Sequence, residues 1–255
     1  MRAKQRSRSG PILLVAAAGT LVDLELAVRA SGAPVVRFDA THFQPCLTTA
    51  QKRALRAAAW DGVIVSSPRV LDLFLLPVLG RPPDRRPAPV AYVAGEPTAV
   101  GATKLGYPVV RPTGARGVAG IAAAVSTGRR LRLLNARSDA AGPGLARMIR
   151  ARGHTVRDVV AIRTVVATRM PTAARRAART ARGVVVTSPV GLRSLRRHLG
   201  PIPFRELAAE AMFRVLGEAT AGAARRAGVR RIGLLDVGPS QAFDPAMVTS
   251  LFDGE

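Results

Sequence analysis

Four short segments put hydroxyl groups beside glycine or proline where a strand gives way to a helix. Two read Val65-Ser-Ser-Pro-Arg69 and Val186-Thr-Ser-Pro189. The other two read Val93-Ala-Gly-Glu-Pro-Thr-Ala99 and Val215-Leu-Gly-Glu-Ala-Thr-Ala221. The side chains on offer are Ser66, Ser67, Thr98, Thr187, Ser188 and Thr220. A hydroxyl in such a place accepts a hydrogen bond from the first helical turn and stabilises it by about 1 kcal/mol. The same helix start also aims free N–H groups outward and suits an anion. Capping and anion binding are compatible, and both readings stay open here.

Other chemistry is poorly represented. No glycine fingerprint for a dinucleotide follows a strand, and no Gly-x-x-x-x-Gly-Lys phosphate loop occurs. His42, His154 and His198 lack ligand spacing, and the lone Cys46 has no partner set up to activate it. A single cysteine also excludes an internal disulfide framework and a cysteine-based zinc cluster. Ala141-Gly-Pro-Gly-Leu145 reads as a loop leading into a helix. The arginine clusters Arg175–Arg182 and Arg193–Arg197 read as solvated helix faces, and Arg2–Arg8 reads as a basic tail.

The elements that must position the hydroxyls come twice. Gly62–Pro68 reappears as Gly183–Pro189 at an offset of 121 residues, and Val93–Ala99 reappears as Val215–Ala221 at an offset of 122. A weaker block pairs Leu24, Arg29 and Gly32 with Leu145, Arg150 and Gly153, again at 121. Short aliphatic runs open the blocks at Ile12–Val15, Val63–Val65, Leu131–Leu134 and Val184–Val186. Amphipathic stretches follow and end in Gly32, Gly106, Gly153 or Gly228, as helices closed by a left-handed glycine do. Strands alternating with helices predict parallel sheets with right-handed crossovers. The fold class expected is therefore α/β: two similar doubly wound domains, facing each other across a cleft. In such sheets ligands collect at the carboxyl ends of the strands, where all four hydroxyl segments fall.

Composition sets the outer bounds. The chain has 255 residues, 48% of them hydrophobic, enough for one large core or two small ones. The longest apolar run, Ile12–Ala18, has seven residues, and Val70–Leu79 is interrupted by Asp72 and Pro77, so no membrane span is expected. With a polar, basic start and no secretory core, the chain reads as soluble and cytoplasmic. Net charge is +23, and 36 of the 39 basic residues are arginine. Such a skew beside many alanines and glycines fits codon drift, and it equally fits an anionic partner. Aromatic residues make up only 4% and do not interleave with the basic ones, which speaks against nucleic acid.

Taken in order, the segments resemble the uroporphyrinogen-III synthase family. The blocks are Val65-Ser-Ser-Pro-Arg69, Tyr92–Ala99 running on to Gly106, Asn135-Ala-Arg137 with the helix to Gly153, Val156 through Arg163-Thr164-Val165, Thr187-Ser-Pro189 and Leu216–Ala221. The resemblance implies an enzyme that closes the linear tetrapyrrole hydroxymethylbilane to uroporphyrinogen III, inverting ring D and releasing water. It implies no cofactor and no metal, a polycarboxylate substrate, an upstream hydroxymethylbilane-producing enzyme as possible partner, no membrane, and a monomer. Carried over, the first domain is Met1–Val36 plus Ala167–Glu255 and the second is Ala40–Arg163. A two-strand linker at Val35–Asp39 and Val160–Val166 then joins them.

The same resemblance suggests Ser66, Ser67, Thr98, Arg137, Thr187, Ser188 and Thr220 as substrate-holding residues, with Thr98 a candidate proton donor. Two departures stand out. Ile162 takes the place of the family's tyrosine, and Ala16-Ala-Ala18 replaces a Thr-Arg-Pro that often ends the first strand. An alternative with the same fold is a two-lobed protein that holds an anionic ligand without turning it over. A basic nucleic-acid-binding protein is the third reading.

Overall fold

The computed structural model describes residues 10–82, 87–113, 117–125, 128–235 and Phe252. The expected basic tail Arg2–Arg8 lies outside these residues. In chain order the elements begin with β1 (Ile12–Ala17), α1 (Val22–Ala30), β2 (Val35–Pro45), α2 (Thr49–Ala57) and β3 (Gly62–Val65). A single turn α3 (Pro68–Val70) runs into a π-helical segment (Leu71–Leu79), followed by β4 (Val90–Val93), α4 (Glu96–Lys104), β5 (Val109–Val110) and α5 (Gly117–Ala124). Next come β6 (Arg132–Ser138), α6 (Gly144–Arg150), β7 (Thr155–Val166), α7 (Thr172–Thr180) and β8 (Gly183–Val186). The described chain closes with α8 (Pro189–Leu199), α9 (Pro201–Glu210), β9 (Met212–Val215), α10 (Glu218–Arg226) and β10 (Arg231–Leu234).

Two compact units are formed, one from Met1–His42 with Val165–Glu255 and the other from Phe43–Thr164. In the first, the strand order is β10-β9-β8-β1-β2; in the second it is β7-β6-β3-β4-β5. The neighbours within each unit pair in parallel. The chain crosses between the units within β2 and returns within β7. Both strands are longer than the predicted linker segments: β2 continues past Asp39 to Pro45, and β7 starts at Thr155 rather than Val160.

Each unit is helix-covered on both faces, because its strands are apolar on both sides as buried parallel strands must be. In the first unit, Val184 and Val186 join the core beneath α7–α10, while Val185 faces the core beneath α1. In the second, Val63 and Val65 pack under α2, the π-helical segment and α4, and Ile64 packs under α5 and α6. Phe38, Phe74 and Phe213 are among the largest fully buried side chains, and burial of each stabilises by roughly 1.5–3 kcal/mol.

The predicted helix ends hold. Gly32, Gly106, Gly153 and Gly228 have φ between 76° and 88°, the left-handed conformation that closes a helix without a Cβ penalty. Of the expected loop Ala141–Leu145, only Ala141–Pro143 lead into α6; the helix already starts at Gly144 and buries Leu145. The segment Leu71–Leu79 departs from a regular helix because Pro77 lacks an N–H; the chain adopts the wider π turn, and Gly80 N–H donates to Leu75 O at 2.9 Å. Its first residue packs against α4 at Gly101, where a Cβ would come within 2.6 Å of Leu71 Cδ2.

Candidate active site

The polar groups gather at the carboxyl ends of the strands, separately in each unit. In the second unit, Ser66 and Ser67 follow β3, and α3 packs against the start of α4. Thr98 sits in the first turn of α4 and is 2% exposed. Gly95, the residue before α4, offers no side-chain cap, so the first N–H groups of that helix carry none. Ser67 stands at the capping position of α3, yet its hydroxyl makes no capping bond; only its carbonyl accepts, from Val70 N–H at 3.0 Å and Leu71 N–H at 3.4 Å.

In the first unit, Thr187 and Ser188 follow β8 and Thr220 lies buried in the first turn of α10, which packs against α8. Here the capping reading applies. Gly191 N–H donates to Ser188 Oγ at 3.1 Å and closes the first turn of α8. Gly217 precedes α10 at φ 75° and supplies no side-chain cap.

Arg137 is already occupied. Its Nε donates to Asp158 at 3.0 and 3.2 Å, and its Nη1 donates to the carbonyls of Ser138 at 3.2 Å and Ala141 at 2.5 Å. Asn135 Nδ2 adds a 2.7 Å bond to the same carboxylate. This cluster braces β6 against β7 and holds the loop into α6. Ile162 stands opposite Ser138 in the β6–β7 register and is 1% exposed, packed in the core of the second unit. The end of β1 likewise presents methyl groups, from Ala16 through Ala18.

Three charged arrangements at these edges were not legible from spacing. Arg37 donates to Glu25 Oε2 at 3.1 Å, to Ala17 O at 2.8 Å and to Asp39 Oδ1. The bond from Arg29, helped by Arg37, holds the Glu25 carboxyl below its ordinary range against the opposing effect of burial. Asp139 also lies below the usual carboxylate range: burial raises it, but the Thr164 N–H at 2.9 Å, the Ala140 N–H and the charge of Arg163 act together against burial and favour the charged form. The third is Arg69, whose guanidinium lies over the Phe43 ring, 3.9 Å from its centroid. Arg69 is visible in the sequence only as part of its motif, because Phe43 comes from a distant strand.

The remaining titratable residues serve structure. His154 is buried, and its Nδ1 accepts from Leu131 N–H at 3.2 Å. Cys46 Sγ donates to Val160 O at 3.3 Å. The exposed arginines Arg175, Arg176, Arg179, Arg193, Arg196 and Arg197 point away from the alanines and leucines that α7 and α8 bury, as the solvated-face reading expected, whereas Arg182 lies past the end of α7 and is half-buried. Among the described residues, no three His, Cys, Asp or Glu side chains come together to hold a metal ion, and no helix is long and apolar enough to cross a membrane.

Compared with known proteins, the chain matches the family described as Uroporphyrinogen-III synthase HemD over residues 6–234. No curated protein matches it by sequence. A mutant uroporphyrinogen III synthase from Thermus thermophilus is 14% identical, with 94% of this chain and 99% of that one covered and a TM-score of 0.55. The uroporphyrinogen-III synthetase from Helicobacter pylori is 12% identical, with 93% and 98% covered and a TM-score of 0.60. At such identities these structures speak to the fold alone.

Parallel sheets covered by helices on both faces define an α/β protein of the doubly wound class, in which ligands commonly bind at the carboxyl ends of the strands. The family match says which kind. The chain belongs to the uroporphyrinogen-III synthase family, and so to porphyrin and tetrapyrrole biosynthesis.

Proposed function

We propose that this chain cyclises hydroxymethylbilane to uroporphyrinogen III, with inversion of ring D and loss of water. The observation that carries the reading is the family match across residues 6–234. Two likenesses within the chain support its architecture as two copies of one unit joined by β2 and β7. The hydroxyl segments recur at offsets of 121 and 122, and the strand orders β10-β9-β8-β1-β2 and β5-β4-β3-β6-β7 correspond one to one. The domains proposed are Met1–Val36 plus Ala167–Glu255 and Ala40–Arg163, near the division at His42 and Thr164.

Substrate carboxylates are held at the carboxyl edges of the units by Ser66, Ser67 and Thr98 in one and by Thr187, Ser188 and Thr220 in the other, together with the helix-start amides beside them. Arg137 contributes by fixing the loop after β6. The carbon–oxygen bond of the hydroxymethyl group breaks, and the hydroxyl takes up a proton and leaves as water. The resulting azafulvene cation is stabilised by its pyrrole. Ring D attacks it through its substituted carbon, giving a spiro-linked ring; the older bond from that carbon to the methylene bridge then breaks, and the bridge rejoins ring D at its free α-carbon, which loses its proton. The protein's contribution is to fold the chain so that this carbon reaches the cation, which is catalysis by positioning. With Ile162 buried where the family has a tyrosine, Thr98 or a water beside it donates the proton. The reading further takes the protein as a cytoplasmic monomer without cofactor, supplied by the enzyme that makes hydroxymethylbilane.

The test supplies the purified chain with enzymatically generated hydroxymethylbilane, oxidises the product and separates the isomers. Type III is expected to predominate. Type I alone, from folded protein, overturns the synthase reading and leaves the protein that holds an anionic ligand without converting it.

A further inference from the structure

We propose that Arg69, stacked on Phe43, is a carboxylate receptor for the substrate at the carboxyl edge of the second unit. This inference rests on the synthase reading for the identity of the ligand.

Arg69 follows Ser66 and Ser67 at the end of β3, where a doubly wound sheet takes its ligand. Its platform is anchored: Phe43 is half-buried and packs against the core formed by Val65, Phe74 and Ile162. Close by, Cys46 N–H donates to Ala161 O at 3.0 Å, tying the end of β2 to β7 within the same unit. A guanidinium over an aromatic ring gains roughly 0.5–1 kcal/mol at an exposed site and more when desolvated. The ring contact leaves N–H donors of the guanidinium available, and a planar carboxylate binds such a group in fork geometry.

Those donors have no protein partner among the described residues: Arg69 makes no hydrogen bond and no ion pair, although Asp72 lies only three residues along. Two other arginines near strand ends are committed. Arg37 is held by Glu25 and Asp39, and Arg137 by Asp158. Arg69 is exposed, so its donors are open to solvent or to a ligand. A ligand carboxylate supplies the missing charge. The feature belongs to one unit only, because the residue in the corresponding place after β8 is Val190.

A second stacked arginine provides an internal control. Arg132 lies over Trp60, 4.8 Å from its centroid, but at the first residue of β6, on the opposite edge of the sheet, where Asp61 accepts from its backbone N–H at 2.7 Å.

The experiment compares the steady-state kinetics of Arg69→Leu, Arg69→Lys, Phe43→Leu and Arg132→Leu with those of the unaltered chain. Arg69→Leu is expected to raise KM for hydroxymethylbilane about tenfold, with kcat changed less than about twofold. Arg69→Lys restores part of the loss, Phe43→Leu falls between, and Arg132→Leu has no effect. The KM of Arg69→Leu also becomes less sensitive to salt, since one screened attraction is gone. A KM for Arg69→Leu within about twofold of the parent, or an equal rise in Arg132→Leu, overturns the proposal. If the unaltered chain yields only type I, the synthase reading fails on its own. Arg69 is then judged by equilibrium binding of uroporphyrin: about tenfold weaker binding by Arg69→Leu supports the receptor, and equal binding overturns it.

Discussion

The segments after β3 and β8 begin alike and end differently. After β8, Ser188 closes the first turn of α8; after β3, Ser67 occupies the same place and its hydroxyl closes nothing. The cause is the residue three positions on. Gly191 N–H reaches Ser188 Oγ, and a Cβ there would already stand within 3.3 Å of that oxygen. At the matching place after β3 stands Val70, whose N–H goes to the Ser67 carbonyl as the chain enters the π-helical segment. One unit uses its hydroxyl for stability, while the other leaves it to solvent or ligand. The neighbouring residue follows the same division, with Val190 in one and the ring-stacked Arg69 in the other. Sharing a motif therefore does not mean sharing a role.

The largest effect expected bears on the scaffold of the second unit. Asp158→Ala strips the partner from Arg137 and Asn135 and is expected to cost about 3 kcal/mol in denaturant unfolding. A loss under about 1 kcal/mol would return Arg137 to the set of free cations. Thr98→Ala comes next, with turnover lowered about tenfold and the unfolding transition unmoved; full activity would remove Thr98 from the site. The paired capping variants cut most directly between the two edges. Ser188→Ala is expected to destabilise by about 1 kcal/mol, and Ser67→Ala by less than about 0.5 kcal/mol. Equal losses would show that both hydroxyls cap in solution.

The smallest effect concerns pH and the first unit. Glu25 titrates lower in the folded chain than in the unfolded one, so its contribution is present above its unfolded pKa and fades as pH falls through the folded value. Unfolding followed from neutral to acidic pH is expected to show Glu25→Gln approaching the parent at the acid end, with a difference of at most about 1 kcal/mol near neutrality. A gap that stays constant with pH would detach this carboxylate from the effect.

Much of the architecture was readable in advance. The β-branched runs at Gly62–Val65 and Gly183–Val186 are strands because only a doubly covered parallel strand needs residues apolar on both faces. The four helix-ending glycines were readable for an equally local reason. The extents of β2 and β7 were not, since pairing partners rather than residue type decide how far those strands run. Nor was the π-helical turn, in which Pro77 and the closely packed Leu71 and Gly101 act together.

For the site, the sequence by itself determined the inventory and its neighbourhood: which hydroxyls stand at strand ends, twice over, and which family the chain belongs to. Only the tertiary structure decided what each group is free to do. Arg137, Arg69 and the two serines differ through residues far away in the chain or through the space one Cβ would fill. A side chain's availability depends on its three-dimensional partners, and linear spacing carries no record of those.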